Sequence, residues 1–295
     1  EAIKDAEDFI RSYGATKPAL AGSIAFAIGA HHAEKEEWDK ARLALSGPTA
    51  RATIDRAPPD IRVLAHAMLG RALSKLGPTY AAQARGEYAK VRSLWADPAA
   101  TEQKIRAAYP AEDDAQRDRR IGRAVEAVGE ALFFAAEERR SSEVDALRFP
   151  EYRGPGDKAS VKAHVDGKVK DWYLKKKAAI EKVEAEYAKL LDLRPVPPPR
   201  WVIAAGSRAG LMWGDFVDDF RRAPIPKAWR GTDLEQVYTT SIDLASEPYK
   251  RDHAKPALKR CLELSTKYQY FDTLSRACEV WLARNYKDEY HVVDE

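Results

Sequence analysis

The chain is 295 residues long, 45 % hydrophobic and 32 % charged, and its 49 Lys plus Arg against 46 Asp plus Glu leave a formal net charge of +3. That size and apolar content support one large elongated domain or two smaller ones with ample core. The balanced charge argues against nucleic acid or a strongly anionic surface as partner, which call for a clustered positive excess, and no apolar run approaches the ~20 residues needed to cross a bilayer.

Taken in order, nearly everything reads as helix broken by Gly and Pro, and no run of β-branched or aromatic residues alternates with polar ones as a strand would. A first helix is expected over Ala2 to Tyr13, and Pro18 opens a second to about Lys35. Glu37 starts a third, which Gly47-Pro48 interrupts, and Asp60 reads as the cap of a helix ending near Leu76. Gly77-Pro78 turns the chain into Thr79 to Trp95; a short helix spans Thr101 to Tyr109, and a long one Asp114 to Glu138. Residues 139–156 hold Ser141-Ser142, Pro150 and Gly154-Pro155-Gly156 without periodicity, so a loop insertion is expected there.

Asp157 to Leu193 is a long charged helical stretch weakened at Gly167, and Pro195 to Pro199 is a stiff polyproline break. Trp201 to Arg221 is helical, Pro224-Ile225-Pro226 breaks again, and Thr232 to Ser246, Asp252 to Lys267 and Phe271 to Tyr286 follow, with an extended tail over 287–295.

The helices carry a weak internal repeat of the tetratricopeptide kind, a helix pair in a ~34-residue unit. With Gly29 as the small residue of one helix, Trp38, Ala41 and Leu45 fall where its partner supplies an aromatic, a small and a bulky side chain. Gly70 with Leu73 and Ala82, and Gly129 with Leu132, repeat parts of this set, while Trp201, Ala205 and Ala257 mark packed positions further on. Small residues let two helices approach and the bulky ones fill the seam. The intervals from Gly29 to Gly70 and Gly70 to Gly129 are 41 and 59 residues, so the repeats are divergent and carry insertions. The expected fold is all-α: a tetratricopeptide-like solenoid of antiparallel helix hairpins in a right-handed superhelix. Residues 1–194 would hold divergent N-terminal repeats and 195–295 the C-terminal repeats and a capping hairpin, in one continuous stack.

The two cysteines, Cys261 and Cys278, are equidistant from the junction of Gln269 and Tyr270. If the flanking segments pair as helices with their turn at Tyr268 to Phe271, the sulfurs face each other at equal depth, a candidate disulfide. The other reading is two buried reduced thiols behaving as small apolar residues. A disulfide would place the protein in an oxidising compartment. The chain opens on Glu1 rather than Met, which reads as a fragment or processed form whose signal peptide or lipid-anchored cysteine lies upstream and could attach it to a membrane.

Chemistry-bearing motifs are not found. The histidines His31, His32, His66, His164, His253 and His291 show no two-ligand helical spacing, and Gly206-Ser207-Arg208-Ala209-Gly210 lacks both the register and the preceding strand of a nucleophile elbow. Asp113-Asp114 and Asp218-Asp219 point about 100° apart on a helix, so neither forms an acid–base couple. No enzyme, cofactor or metal is expected, and Trp38, Trp95, Trp201, Trp213 and Trp281 read as core or as the lining of a concave groove.

The segment from Trp201 to Phe220 followed by Ala223-Pro-Ile-Pro226, together with the ending Ala257-Leu-Lys-Arg-Cys261-Leu-Glu-Leu-Ser and Tyr270-Phe-Asp-Thr-Leu-Ser-Arg-Ala-Cys278-Glu, resembles tetratricopeptide proteins of myxobacteria and related delta-proteobacteria, among them the adventurous gliding motility proteins of the cell envelope. The resemblance covers residues 195–295; the remainder matches only the generic repeat. It implies a non-enzymatic periplasmic or outer-membrane-associated scaffold of the gliding machinery, with other envelope proteins as partners and no catalytic residues to transfer. The alternatives are a periplasmic adaptor for outer-membrane protein or polysaccharide assembly, and a peptidoglycan-acting enzyme with a helical superstructure.

Overall fold

The protein is described by a computed structural model covering residues 2–292, with only the backbone described at Thr49. Its regular structure is helical throughout, with no strand among the described residues. The chain forms two compact units, residues 1–135 with 192–198 and residues 136–191 with 199–295.

The first unit holds α1 (Ala2–Tyr13), α2 (Pro18–Glu34), α3 (Trp38–Ser46), α4 (Pro48–Ile54), α5 (Pro59–Lys75), α6 (Ala81–Leu94), α7 (Pro98–Ala108) and most of α8 (Asp114–Arg139). Four of these open on proline, whose fixed φ suits the first helical residue and whose missing N–H costs nothing there. α2 packs on α3 and α4, α3 on α5, and α5 on α6.

Two of the glycines singled out in sequence let neighbouring helices approach closely. A Cβ at Gly29 would lie 2.6 Å from Leu45, and one at Gly70 would lie 3.1 Å from the ring of Tyr88. Leu45 and Leu73 are fully buried beside Ala84, and Trp38 lies half-buried on Ala33, Ala41 and Ala72. Ala82 does not pack: it is exposed. α6 begins at Ala81, so Ala82 falls in its first turn facing solvent, while Ala84, Tyr88 and Val91 form the inner face. Gly129 is buried on α8, and Leu132 is half-buried.

Asp60 does not cap α5 either. The helix starts one residue earlier, and the buried Asp60 carboxylate accepts the Tyr109 hydroxyl at 3.0 Å and lies 3.2 Å from Arg120. The Arg120 guanidinium sits 3.8 Å from the Tyr109 ring centroid and also binds Glu112, so one carboxylate pins the α7–α8 connection to α5.

In the second unit, α8 continues into a π-helical turn over Arg140–Val144 rather than ending at the expected loop; irregular chain follows from Leu147. α9 (Lys158–His164) and α10 (Lys170–Ala188) are joined by a second π turn, Val165–Val169, which is how the helix accommodates Gly167. α11 (Pro199–Arg221) is the central helix, with α12 (Asp233–Tyr249), α13 (Lys255–Tyr268) and α14 (Thr273–Asn285) packed against it. α12 and α13 are joined without a break by a π turn over Lys250–Ala254, where an interruption was expected between Ser246 and Asp252. The tail turns at Tyr286 to Tyr290 instead of extending, and its last three residues lie outside the described chain.

Rings dominate this core. Trp213 is fully buried, stacks on Tyr249 with 5.6 Å between centroids, and meets His253 at 4.4 Å; Trp172, Phe216 and Phe220 complete the cluster. Lys176 is buried beside it, with its ammonium donating to the carbonyls of Val144 at 2.8 Å and Leu147 at 3.1 Å.

Candidate docking groove

On α11, Gly206, Gly210 and Gly214 follow one another at intervals of four, which sets them in one row along the helix. A Cβ at Gly210 would overlap Leu258 of α13, and one at Gly214 would lie 2.5 Å from the indole nitrogen of Trp281 on α14. At these two points the helices are in direct contact. Gly206 differs: its nearest neighbours, the Ala257 carbonyl and Cys261 Cβ, lie 3.6 Å from a Cβ built there. The row is therefore closed at one end and open at the other.

The open end is a groove of about 190 Å³ between α10, α11 and α13. Its floor is small and apolar, with Ala205, Gly206, Ala209 and Ala257, and Leu191 stands 53 % exposed at its rim. Glu184 and Arg260 supply its charged groups. Glu184 accepts the Trp213 indole N–H at 3.2 Å, while Arg260 reaches Glu263 only at 3.5 Å and is largely exposed.

Two devices hold the walls. Tyr187 donates its hydroxyl to Glu137, which also lies 2.9 Å from Arg208 and 3.2 Å from Arg140. Burial and the Glu137 charge push the Tyr187 phenol well above its ordinary range, so it stays a donor. On the far wall Cys261 and Cys278 form a disulfide with Cα atoms 6.5 Å apart, joining α13 to α14. Gln269 ends α13 in the left-handed conformation at φ 50°, and Asp272 caps α14 through the N–H groups of Leu274 and Ser275. Ser207, fully buried, donates to the Leu274 carbonyl at 2.8 Å and so ties α11 to this hairpin.

Of the residues singled out in sequence, Cys261, Ala205 and Ala257 come together at the groove, Cys278 lies behind it, and Trp201 is buried in the first turn of α11 under Arg200. Gly29, Gly70, Gly129 and their neighbours lie in the first unit and serve its packing. Sequence reading missed Ala188, Leu191 and Ala209; the glycine row on α11 was the signal that could have located them. No family model, curated protein or solved structure matches the chain.

Proposed function

We propose that the protein is a non-enzymatic, tetratricopeptide-like helix-hairpin scaffold of the cell envelope, periplasmic or associated with the outer membrane, that holds a partner protein in the α10–α11–α13 groove. The single observation that carries the reading is the open end of the α11 glycine row. A trough floored by Gly206, Ala205, Ala209 and Ala257 has the depth for a bulky apolar side chain, and its walls are fixed before anything binds. The Cys261–Cys278 bond supports an oxidising compartment. Membership of a gliding motility complex rests on the C-terminal resemblance alone, and the partners it proposes are other envelope proteins.

The test places a photocrosslinking residue at Ala188, which is exposed on the groove wall. Irradiation in cells followed by identification of the adduct should return an envelope protein. Adducts with gliding components support the full proposal, whereas adducts with outer-membrane assembly factors would give the groove to the adaptor alternative. Recovery of cytosolic proteins alone would refute both.

A further inference from the structure

A separate cavity of about 90 Å³ lies in the first unit, where α3, α4, α5 and α6 meet. That is room for roughly three waters. Its floor is apolar and deeply buried, made by Leu45, Ile54, Ala65 and Leu69. Its rim is polar: Arg51 and Asp55 are exposed, and His66 and Lys90 complete it. An apolar floor under a few converging polar groups is how small-ligand sites are built.

The charges around this cavity divide into those already engaged and those left over. Behind the rim stands Glu87, only 5 % exposed; its Oε2 meets His66 Nδ1 at 2.6 Å and its Oε1 accepts Lys90 at 2.9 Å. The carboxyl stays ionised against burial because those two groups hydrogen-bond to it. Both of its oxygens are used, so Glu87 orients the rim rather than meeting a ligand. An ionised carboxylate only accepts, so the His66 proton sits on Nδ1, and Nε2 of the neutral ring is an acceptor. Lys90 keeps further N–H donors. Arg51 reaches Glu87 only at 3.8 Å, and the Asp55 side chain has no hydrogen bond or ion pair among the described residues.

The rim therefore offers donors from Arg51 and Lys90 and acceptors from Asp55 and His66. With Glu87 included, two formal positive charges face two negative ones, so the cavity favours neither a plain anion nor a plain cation. A matching ligand carries both charges and a small apolar group. We propose that this cavity binds a free α-amino acid with a small apolar side chain, its carboxylate on Arg51 and Lys90, its ammonium between Asp55 and His66 Nε2, and its side chain on the Leu45, Ile54, Ala65 and Leu69 floor. A peptide terminus brings only one of the two charges. Three unlike contacts at fixed places also distinguish one enantiomer from the other.

The probe is alanine, titrated into the full protein and read by saturation-transfer NMR from the protein methyl groups to the alanine methyl. One enantiomer should bind with a Kd on the order of 0.1–1 mM, and the other more weakly. Propionate lacks the ammonium and ethylamine lacks the carboxylate, so each should bind at least about tenfold more weakly, because rim groups are then left unpaired. Arg51→Gln and Asp55→Asn, both at exposed positions, should each weaken alanine about tenfold with an unchanged far-UV spectrum. Arg56→Gln, at an exposed position that does not line the cavity, should leave binding unchanged. No transfer to either enantiomer at about 10 mM, well above the expected Kd, would overturn the proposal. So would equal binding of alanine and propionate, which would make this a carboxylate site, or binding that neither rim variant weakens, which would put the alanine elsewhere.

Discussion

Where α5, α6 and α8 meet in the first unit, the contact is polar: Glu130 is buried, accepts both nitrogens of an Arg71 fork, and takes the Tyr88 hydroxyl at 2.9 Å. Asp60 and Glu87 play similar parts, the latter accepting His66 at 2.6 Å and Lys90 at 2.9 Å. Burial resists the Glu87 charge, but these two hydrogen bonds win and hold its carboxyl below the ordinary range. In the second unit the same task falls to Trp213, Phe216, Phe220 and a covalent bond. Rings gain by area and tolerate small shifts, whereas a buried carboxylate demands its partners in place. The first unit thereby leans on buried pairs where its helices meet, while the second sets rings and a disulfide beside its own Glu137 cluster, and an open groove is compatible with the second because those ties hold its walls without filling the space between them.

The largest break in this contrast should come from Trp213→Ala, which removes the centre of the ring cluster and should cost about 4 kcal/mol in urea unfolding. Arg71→Met should follow at about 3 kcal/mol, because it strands the buried Glu130 charge with only a phenol for company. A value under 1 kcal/mol would show that the first unit does not depend on that pair. The α11 glycine row sharpens the comparison further. Gly210→Ala should lose about 1–3 kcal/mol by overlap with Leu258. Gly206→Ala meets only ordinary contacts and should gain about 0.5 kcal/mol from helix propensity. Equal effects at the two positions would mean the groove is not open.

The smallest effect is a pH dependence at Glu37, whose carboxyl is held at about 2 by hydrogen bonds from Lys40 at 2.8 Å and His32 at 2.7 Å. Because the folded value lies below the ordinary 4.5, the contribution is complete above that pH and fades as the pH falls toward about 2. Urea midpoints of Glu37→Gln should therefore be flatter over that window than those of the unaltered protein.

The start of α2 was legible because Pro18 opens it, whereas Pro48 reads as an interruption although it opens α4, and α5, α7 and α11 begin at Pro59, Pro98 and Pro199, one to three residues before the expected starts. The cysteine pairing was legible because a hairpin turn at Gln269 makes equal sequence distance into equal depth. The continuous path from α12 to α13 was not: helix is expected to stop at Ser246 and restart at Asp252, and the π turn at Lys250–Ala254 that carries it through has no sequence signature. Ala82 failed because the repeat interval counted from Gly70 puts the small residue two places early: Ala84 is the buried one, and two residues on a helix lie about 200° apart. The groove was hidden because it depends on which alanines are left uncovered, a property of neighbouring helices rather than of local pattern.

The central claim is that the α13–α14 hairpin is covalently closed where the protein works. Protein isolated from its native source, quenched with an alkylating reagent and denatured, should show no free thiol before reduction and two after it, and the reduced form should be less stable by about 3 kcal/mol for a loop of this length. Two free thiols before reduction would contradict the account.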